Sequence, residues 1–202
     1  MARARPRPSA ARAAPPHEVR IVGGQWKRTR LPVADRPGLR PTPDRVRETL
    51  FNWLGQDLSG WRCLDAFAGT GALGLEAASR GAAQVLLVEQ DPELVATLRK
   101  LKERLAAHTV EIRRGDALAV LAGMAGSNLD LVLLDPPFDS QLFEPALAAA
   151  LSALASGGLV YLEAPRAWTD SDAAQAGLEL RRHLKAGAVH AHLFGRAPGR
   201  AA

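Results

Sequence analysis

Cysteine, aromatic residues and long apolar runs are all scarce in this 202-residue chain. Its single cysteine, Cys63, excludes an internal disulfide, and its setting in an apolar strand points to packing rather than to a nucleophile. The histidines show no ligand spacing beyond His190-x-His192, so no metal site is expected. No apolar stretch approaches the ~20 residues that span a bilayer, and the start M-A-R-A-R-P-R-P lacks the apolar core of a secretory signal. A cytoplasmic protein is the expectation. What the chain does have is 47% hydrophobic content, enough at this length to bury one core without cross-links or metal.

Acidic residues are missing from one end. Residues 1–47 hold twelve Arg or Lys against three acids, whereas the remainder is mildly acidic, within a net charge of +5. A cationic end on an acidic body attracts a polyanion and makes its binding salt-dependent. Over residues 1–17 alternating Arg, Pro and Ala cannot build a core, and a disordered basic tail is expected. From 18 to 42 the pattern changes. V-R-I-V alternates, Gly23-Gly24 offers a turn, and Q-W-K-R-T-R-L-P-V reads as a second strand. The resulting hairpin carries Arg20, Lys27, Arg28 and Arg30 with Trp26 among them, a mixture of cations and an aromatic ring that suits RNA. Arg40-Pro41-Thr42-Pro43-Asp44-Arg45 then reads as a helix start, with Thr42 placed to cap and Asp44 complementing the dipole. Arg40, Arg45 and Arg47 are further candidates for phosphate contacts; for Arg45 and Arg47 a solvated helix face is the equal alternative.

Residues 43–202 alternate between strand and helix, the pattern of a doubly wound parallel sheet with ligands at the carboxyl ends of its strands. Helices are expected from Pro92 to about Ala107 and from about Gln141 to Ala155, the latter ended by Gly157-Gly158. The segments 178–187 and 188–196 read as an antiparallel hairpin closing a mostly parallel, seven-stranded, Rossmann-like sheet.

Two motifs carry chemistry. In C-L-D-A-F-A-G-T-G-A-L-G-L-E, residues 63–76, an apolar strand runs into glycines and then a helix, so the backbone approaches a ligand closely and the helix start presents free N–H groups. Glu89 ends the next apolar strand, placed to accept bonds from ribose hydroxyls. Gly69-x-Gly71-x-x-Gly74 followed by an acid about 20 residues on also fits a dinucleotide site. Asp65 breaks that tie. An acid ahead of the glycines binds an amino-acid ammonium and repels a pyrophosphate, which favours S-adenosylmethionine. Asp116, at the end of a later strand, is a candidate acceptor for the adenine amine or a helix cap.

The second motif is Asp135-Pro136-Pro137-Phe138, which ends the apolar run L-V-L-L. The exocyclic amine of a nucleobase is a poor nucleophile because its lone pair is delocalised into the ring. A carboxylate and a fixed carbonyl that accept both amine hydrogens free that lone pair and stabilise the cation that forms. Prolines hold the backbone and add no competing N–H, and the phenyl ring offers a stacking face. Asp65, Glu89, Asp116 and Asp135 all fall at strand ends on one rim.

Taken together, R-I-V-G-G-Q-W at 20–26, L-R-P-T-P-D-R-V-R-E-T-L-F-N-W-L at 39–54, L-D-A-F-A-G-T-G-A-L-G-L-E-A at 64–77 and L-D-P-P-F at 134–138 resemble the RsmD family, bacterial guanine-N2 methyltransferases of small-subunit rRNA. The likeness runs from about Val19 to Arg196. It implies methylation of one guanine in a hairpin loop of 16S rRNA, within the assembling small subunit, by a monomer. It further implies that Asp135 and the Pro136 carbonyl hold the amine while Phe138 stacks on the base. Asp65, the loop Phe67, Ala68, Gly69, Thr70 and Gly71, together with Glu89, Gln90, Asp116 and Ala117, would hold S-adenosylmethionine. The rival readings are a DNA adenine-N6 methyltransferase, for which the chain leaves little room for a target-recognition segment, and a non-catalytic RNA-binding assembly factor.

Overall fold

The computed structural model describes residues 18–34 and 42–198. The basic tail expected over 1–17 and the candidate Arg40 lie outside the described residues.

The first elements form the hairpin. β1 (Glu18–Arg20) and β2 (Arg30–Pro32) pair antiparallel with Val19 opposite Leu31, and these two side chains are its buried face. The alternation predicts a longer second strand, but residues 25–28 turn instead. The Gln25 N–H donates to the Ser79 carbonyl and the Trp26 N–H to the Ser79 hydroxyl, so these donors are engaged away from the ladder. In α1 (Asp44–Trp53) Val46, Leu50 and Phe51 face inward. Thr42 does not cap this helix, whose N-cap is Pro43 with no side-chain bond. Its hydroxyl donates instead to Glu163, 2.5 Å away and distant in sequence.

The body follows as β3 (Arg62–Asp65), α2 (Ala72–Ser79), β4 (Gln84–Glu89), α3 (Pro92–Arg104), β5 (Val110–Arg114), α4 (Ala117–Ala122), β6 (Leu129–Leu134), α5 (Phe143–Ala153), β7 (Leu154–Ala164), α6 (Asp170–Gln175), β8 (Leu178–Ala186) and β9 (Val189–Arg196). The sheet order is β5-β4-β3-β6-β7-β9-β8, parallel from β5 to β7, with β9 and β8 closing it antiparallel. This is the Rossmann-like sheet that the alternation predicts. The strand order reverses between β3 and β6, the switch point at which such sheets open a ligand crevice. α5 stops short of Ala155, and Gly157-Gly158 lie inside β7 rather than ending the helix. A Cβ on Gly158 would lie 2.6 Å from the Leu129 carbonyl oxygen, so only bare backbone fits there.

Side chains alternate across the sheet. Cys63, Leu131, Leu133 and Tyr161 enter one apolar layer with the hairpin, α1 and α2, while Leu64, Val132, Leu134 and Leu162 enter the other with α4 and α5. The same alternation puts Asp65, Asp135 and Glu163, on the adjacent strands β3, β6 and β7, on the α1 and α2 side. No helix among the described residues is long and apolar enough to cross a membrane.

Candidate active site

Asp65 ends β3 with 1% of its surface exposed. One carboxylate oxygen accepts the Gly74 N–H at 2.9 Å, and the other has no partner among the described residues. Burial pushes its pKa up to about 7 against the lowering bonds from Gly74 and Phe67, and the nearby Glu89 and Glu163 add to the rise. A buried acceptor without a donor is costly, and a cationic ligand group would supply what is missing.

The glycine loop turns beside it. Gly69 and Gly71 have φ of 52° and 78°, values that favour glycine, and Gly71 leads into α2. A Cβ on Gly74 would lie 2.2 Å from Leu87, so this glycine lets α2 pack on the sheet. Ala68 and Thr70 are buried and Phe67 is half-buried. Glu89 accepts the Gly69 N–H and the Asp91 N–H, each at 2.9 Å, so it shapes the loop. Its oxygens retain further lone pairs for hydroxyl donors. Asp116 caps α4 by accepting the Ala119 N–H at 2.8 Å and is exposed at the same rim, with Ala117 buried behind it and Gln90 exposed after β4.

On the neighbouring strand, Asp135 follows β6 half-buried, Pro136 is buried, and Pro137 is exposed. The loop closes through Ser140, whose N–H and hydroxyl donate to the Pro137 carbonyl at 3.1 and 2.6 Å. Phe138 is 37% exposed, the exposed large apolar side chain among the described residues. The Asp135 carboxyl is held well above the usual range, first by its enclosure in protein and then by the charges of Glu163 and Asp65. That residue, Glu163, has no role in the sequence reading. It closes the apolar strand L-V-Y-L-E-A just as the other rim acids close theirs, which was the available signal. It is 2% exposed and accepts the Thr42 hydroxyl at 2.5 Å and the Tyr161 hydroxyl at 3.0 Å.

The candidate RNA residues divide. Arg20, Lys27, Arg28, Arg30 and Arg45 are exposed, with Arg20 and Arg30 paired to Asp44 and Glu18. Trp26 is half-buried against the core. Arg47 does not reach the surface. Its guanidinium is fully buried and donates to the Arg20 and Thr42 carbonyls, Asp44 and Glu76, so it is unavailable to a phosphate. Glu76, equally buried, also accepts the N–H groups of Val22 and Gly23 at 2.8 and 2.7 Å and pairs with Arg80. A lone acid inside the apolar helix A-L-G-L-E-A-A-S was the one hint of this junction.

Elsewhere, burial pushes the Cys63 thiol up to about 12, which suits packing and not nucleophilic chemistry. His192 is buried and accepts the Trp168 N–H at 3.0 Å, and burial holds its pKa down to about 4.

Known proteins are similar to this chain in sequence and fold. The family described as "Conserved hypothetical protein 95" matches residues 19–195. "Ribosomal RNA small subunit methyltransferase D" of Escherichia coli is 46% identical over 148 residues, 72% of this chain and 74% of the relative. The protein of the same name from Haemophilus influenzae is 40% identical over 72% of this chain and 78% of its own length. A solved structure described as a putative methyltransferase, yhhF, from Escherichia coli superposes with a TM-score of 0.77 at 41% identity. That likeness covers 89% of this chain and 98% of the other.

Proposed function

This chain belongs to the RsmD family of small-subunit rRNA methyltransferases, and on that premise we propose that it methylates the exocyclic N2 of one guanine in 16S rRNA, taken within the small subunit or an assembly intermediate. The observation that carries the reading is the placement of Asp65 and Asp135 at the ends of adjacent strands at the switch point, one with a buried carboxylate oxygen lacking a donor and the other heading D-P-P-F. No metal takes part, and the site of action is the cytoplasm.

S-adenosylmethionine supplies an electrophilic methyl group. The residues present fit it: the unpartnered Asp65 oxygen matches an amino-acid ammonium, and the loop from Phe67 to Gly71 gives a close backbone approach. Glu89 and Gln90 would hold the ribose hydroxyls, and Asp116 with Ala117 would hold the adenine. The remaining chemistry belongs to Asp135–Phe138. The Asp135 carboxylate and the Pro136 carbonyl accept the two amine hydrogens, which localises the nitrogen lone pair and aims it. Phe138 stacks on the base, and Pro137 stiffens the turn between them. The elevated basicity of Asp135 equips it to take the proton that leaves, though solvent can remove it too. Transfer is direct, without a covalent enzyme intermediate. Arg20, Lys27, Arg28, Arg30 and Arg45, with Trp26, line the extension over 18–42 and the start of α1 as the RNA-facing surface, and Arg40 completes the candidate set.

Asp135→Ala tests the assignment. Methyl transfer to small subunits should be abolished while S-adenosylmethionine affinity, measured by calorimetry, stays within about twofold. Loss of cofactor binding instead would make Asp135 a cofactor residue and defeat the mechanism.

A further inference from the structure

Glu163 lies outside the set of groups so far given work at this site, yet its surroundings are unusual for an acid with only structural duties. Leu134 pairs with Leu162 across the parallel strands β6 and β7, so Asp135, just after β6, follows beside Glu163 of β7, and Asp65, in register with Leu133, lies one strand further and two residues back. Three carboxylates on three neighbouring strands thus share one face of the rim. A strand end that merely needed filling there would be filled at less cost by an apolar residue.

One Glu163 oxygen accepts both the Thr42 and the Tyr161 hydroxyls. Tyr161 is on the same strand, but Thr42 is not. It stands just before α1, where the RNA-facing extension joins the body, and its carbonyl accepts a bond from the buried Arg47, which also holds the Arg20 carbonyl of the hairpin. Glu163 is therefore the point at which the extension is fastened to the strand end beside Asp135.

We propose that Glu163 is a positioning residue for methyl transfer, which docks the Thr42 junction of the extension onto the rim and sets the electrostatic state of Asp135 from the adjacent strand. The inference rests on the assignment of Asp135 as the amine-holding group. Among the described residues the charged and titratable groups around this pair are Asp65 from β3, Tyr161 from β7 and Arg47 from α1. Glu163 and Asp65 oppose ionisation of Asp135; burial raises the pKa of Glu163 itself, against the hydroxyls of Thr42 and Tyr161 and the charge of Arg47, which favour its ionised form. Removing the Glu163 charge therefore lowers the pKa of Asp135, and the acid limb of the rate profile moves to lower pH.

The test compares Glu163→Gln, which keeps an acceptor for Thr42 and Tyr161 but loses the charge, with Glu163→Ala and Thr42→Val. Methyl transfer from labelled S-adenosylmethionine to bacterial small subunits lacking the modification is followed against pH, alongside cofactor affinity and thermal melting. In Glu163→Gln the acid limb should move down by about one pH unit with cofactor affinity unchanged. Glu163→Ala and Thr42→Val should lower kcat/KM for the subunit by about tenfold or more, again without loss of cofactor binding. A folded Glu163→Gln protein with an unmoved acid limb, or a Thr42→Val protein with wild-type kcat/KM, would overturn the proposal. If Glu163→Gln fails to fold, Thr42→Val decides alone. No transfer by the wild-type protein is a separate result, which removes the assigned function and this role with it.

Discussion

Arg47 and Glu76 form a salt bridge of 3.1 Å with both side chains wholly buried. The pair joins α1 to α2, and the same two residues hold the hairpin backbone, Arg47 through the Arg20 carbonyl and Glu76 through the Val22 and Gly23 N–H groups. Since α2 starts at the glycine loop, the extension is built onto the helix that follows this loop.

Removing Glu76 leaves the buried Arg47 with Asp44 as its remaining carboxylate and strips the Val22 and Gly23 N–H groups of their acceptor, a loss of about 3–5 kcal/mol. Glu76→Ala should therefore lower stability by about that amount in urea unfolding, and amide exchange at residues 22–28 should accelerate more than in the sheet. Arg45→Ala, at an exposed site two residues before Arg47, should leave stability within about 0.5 kcal/mol. Equal stability of Glu76→Ala and the parent would contradict the junction.

The role proposed for Asp65 predicts pH-dependent cofactor binding. Burial raises the folded pKa of Asp65 to about 7, above the ordinary value of 3.8, so the folded chain holds this proton to higher pH than the unfolded one. The stabilisation linked to its proton is complete below the ordinary value and is lost as pH rises through the folded one. An ammonium ligand needs the carboxylate, so S-adenosylmethionine affinity should rise with pH up to about 7 and level off above it. Asp65→Asn should bind more weakly and without this dependence. Calorimetric titration from pH 5.5 to 8.5 (about half-unit steps) checks both, and a flat wild-type profile would remove the role given to Asp65.

Phe138 exposes its ring next to Asp135, Pro136 and Pro137 in the chain. Stacking of a base on an aromatic side chain is worth about 1–3 kcal/mol, so Phe138→Ala should reduce kcat/KM for the subunit by roughly tenfold to a hundredfold. Melting temperature and cofactor affinity should not change, because little packing is lost. Phe138→Tyr should retain most activity. Wild-type rates in the alanine variant would show that the base does not rest on this ring.

What was legible in the sequence follows from what local pattern can carry. An acid that closes an apolar strand is visible as such, and Asp65, Glu89, Asp116 and Asp135 do reach one rim. Glu163 gives the same signal but has no motif around it to mark it as part of the site. Thr42 read as a helix cap because capping is a local rule, whereas its partner is Glu163, 121 residues away. Arg47 read as an RNA contact for a similar reason. Sequence shows a cation on a helix but not that Glu76, 29 residues on, waits for it inside. The second hairpin strand came out too long because alternation cannot reveal that Ser79 takes the Gln25 and Trp26 donors.

The most direct measurement is methyl transfer from labelled S-adenosylmethionine to small ribosomal subunits lacking the modification, followed by nucleoside analysis of the digested rRNA. Label in N2-methylguanosine is the predicted result. Label in N6-methyladenosine, or none despite demonstrated cofactor binding, would contradict guanine-N2 methylation.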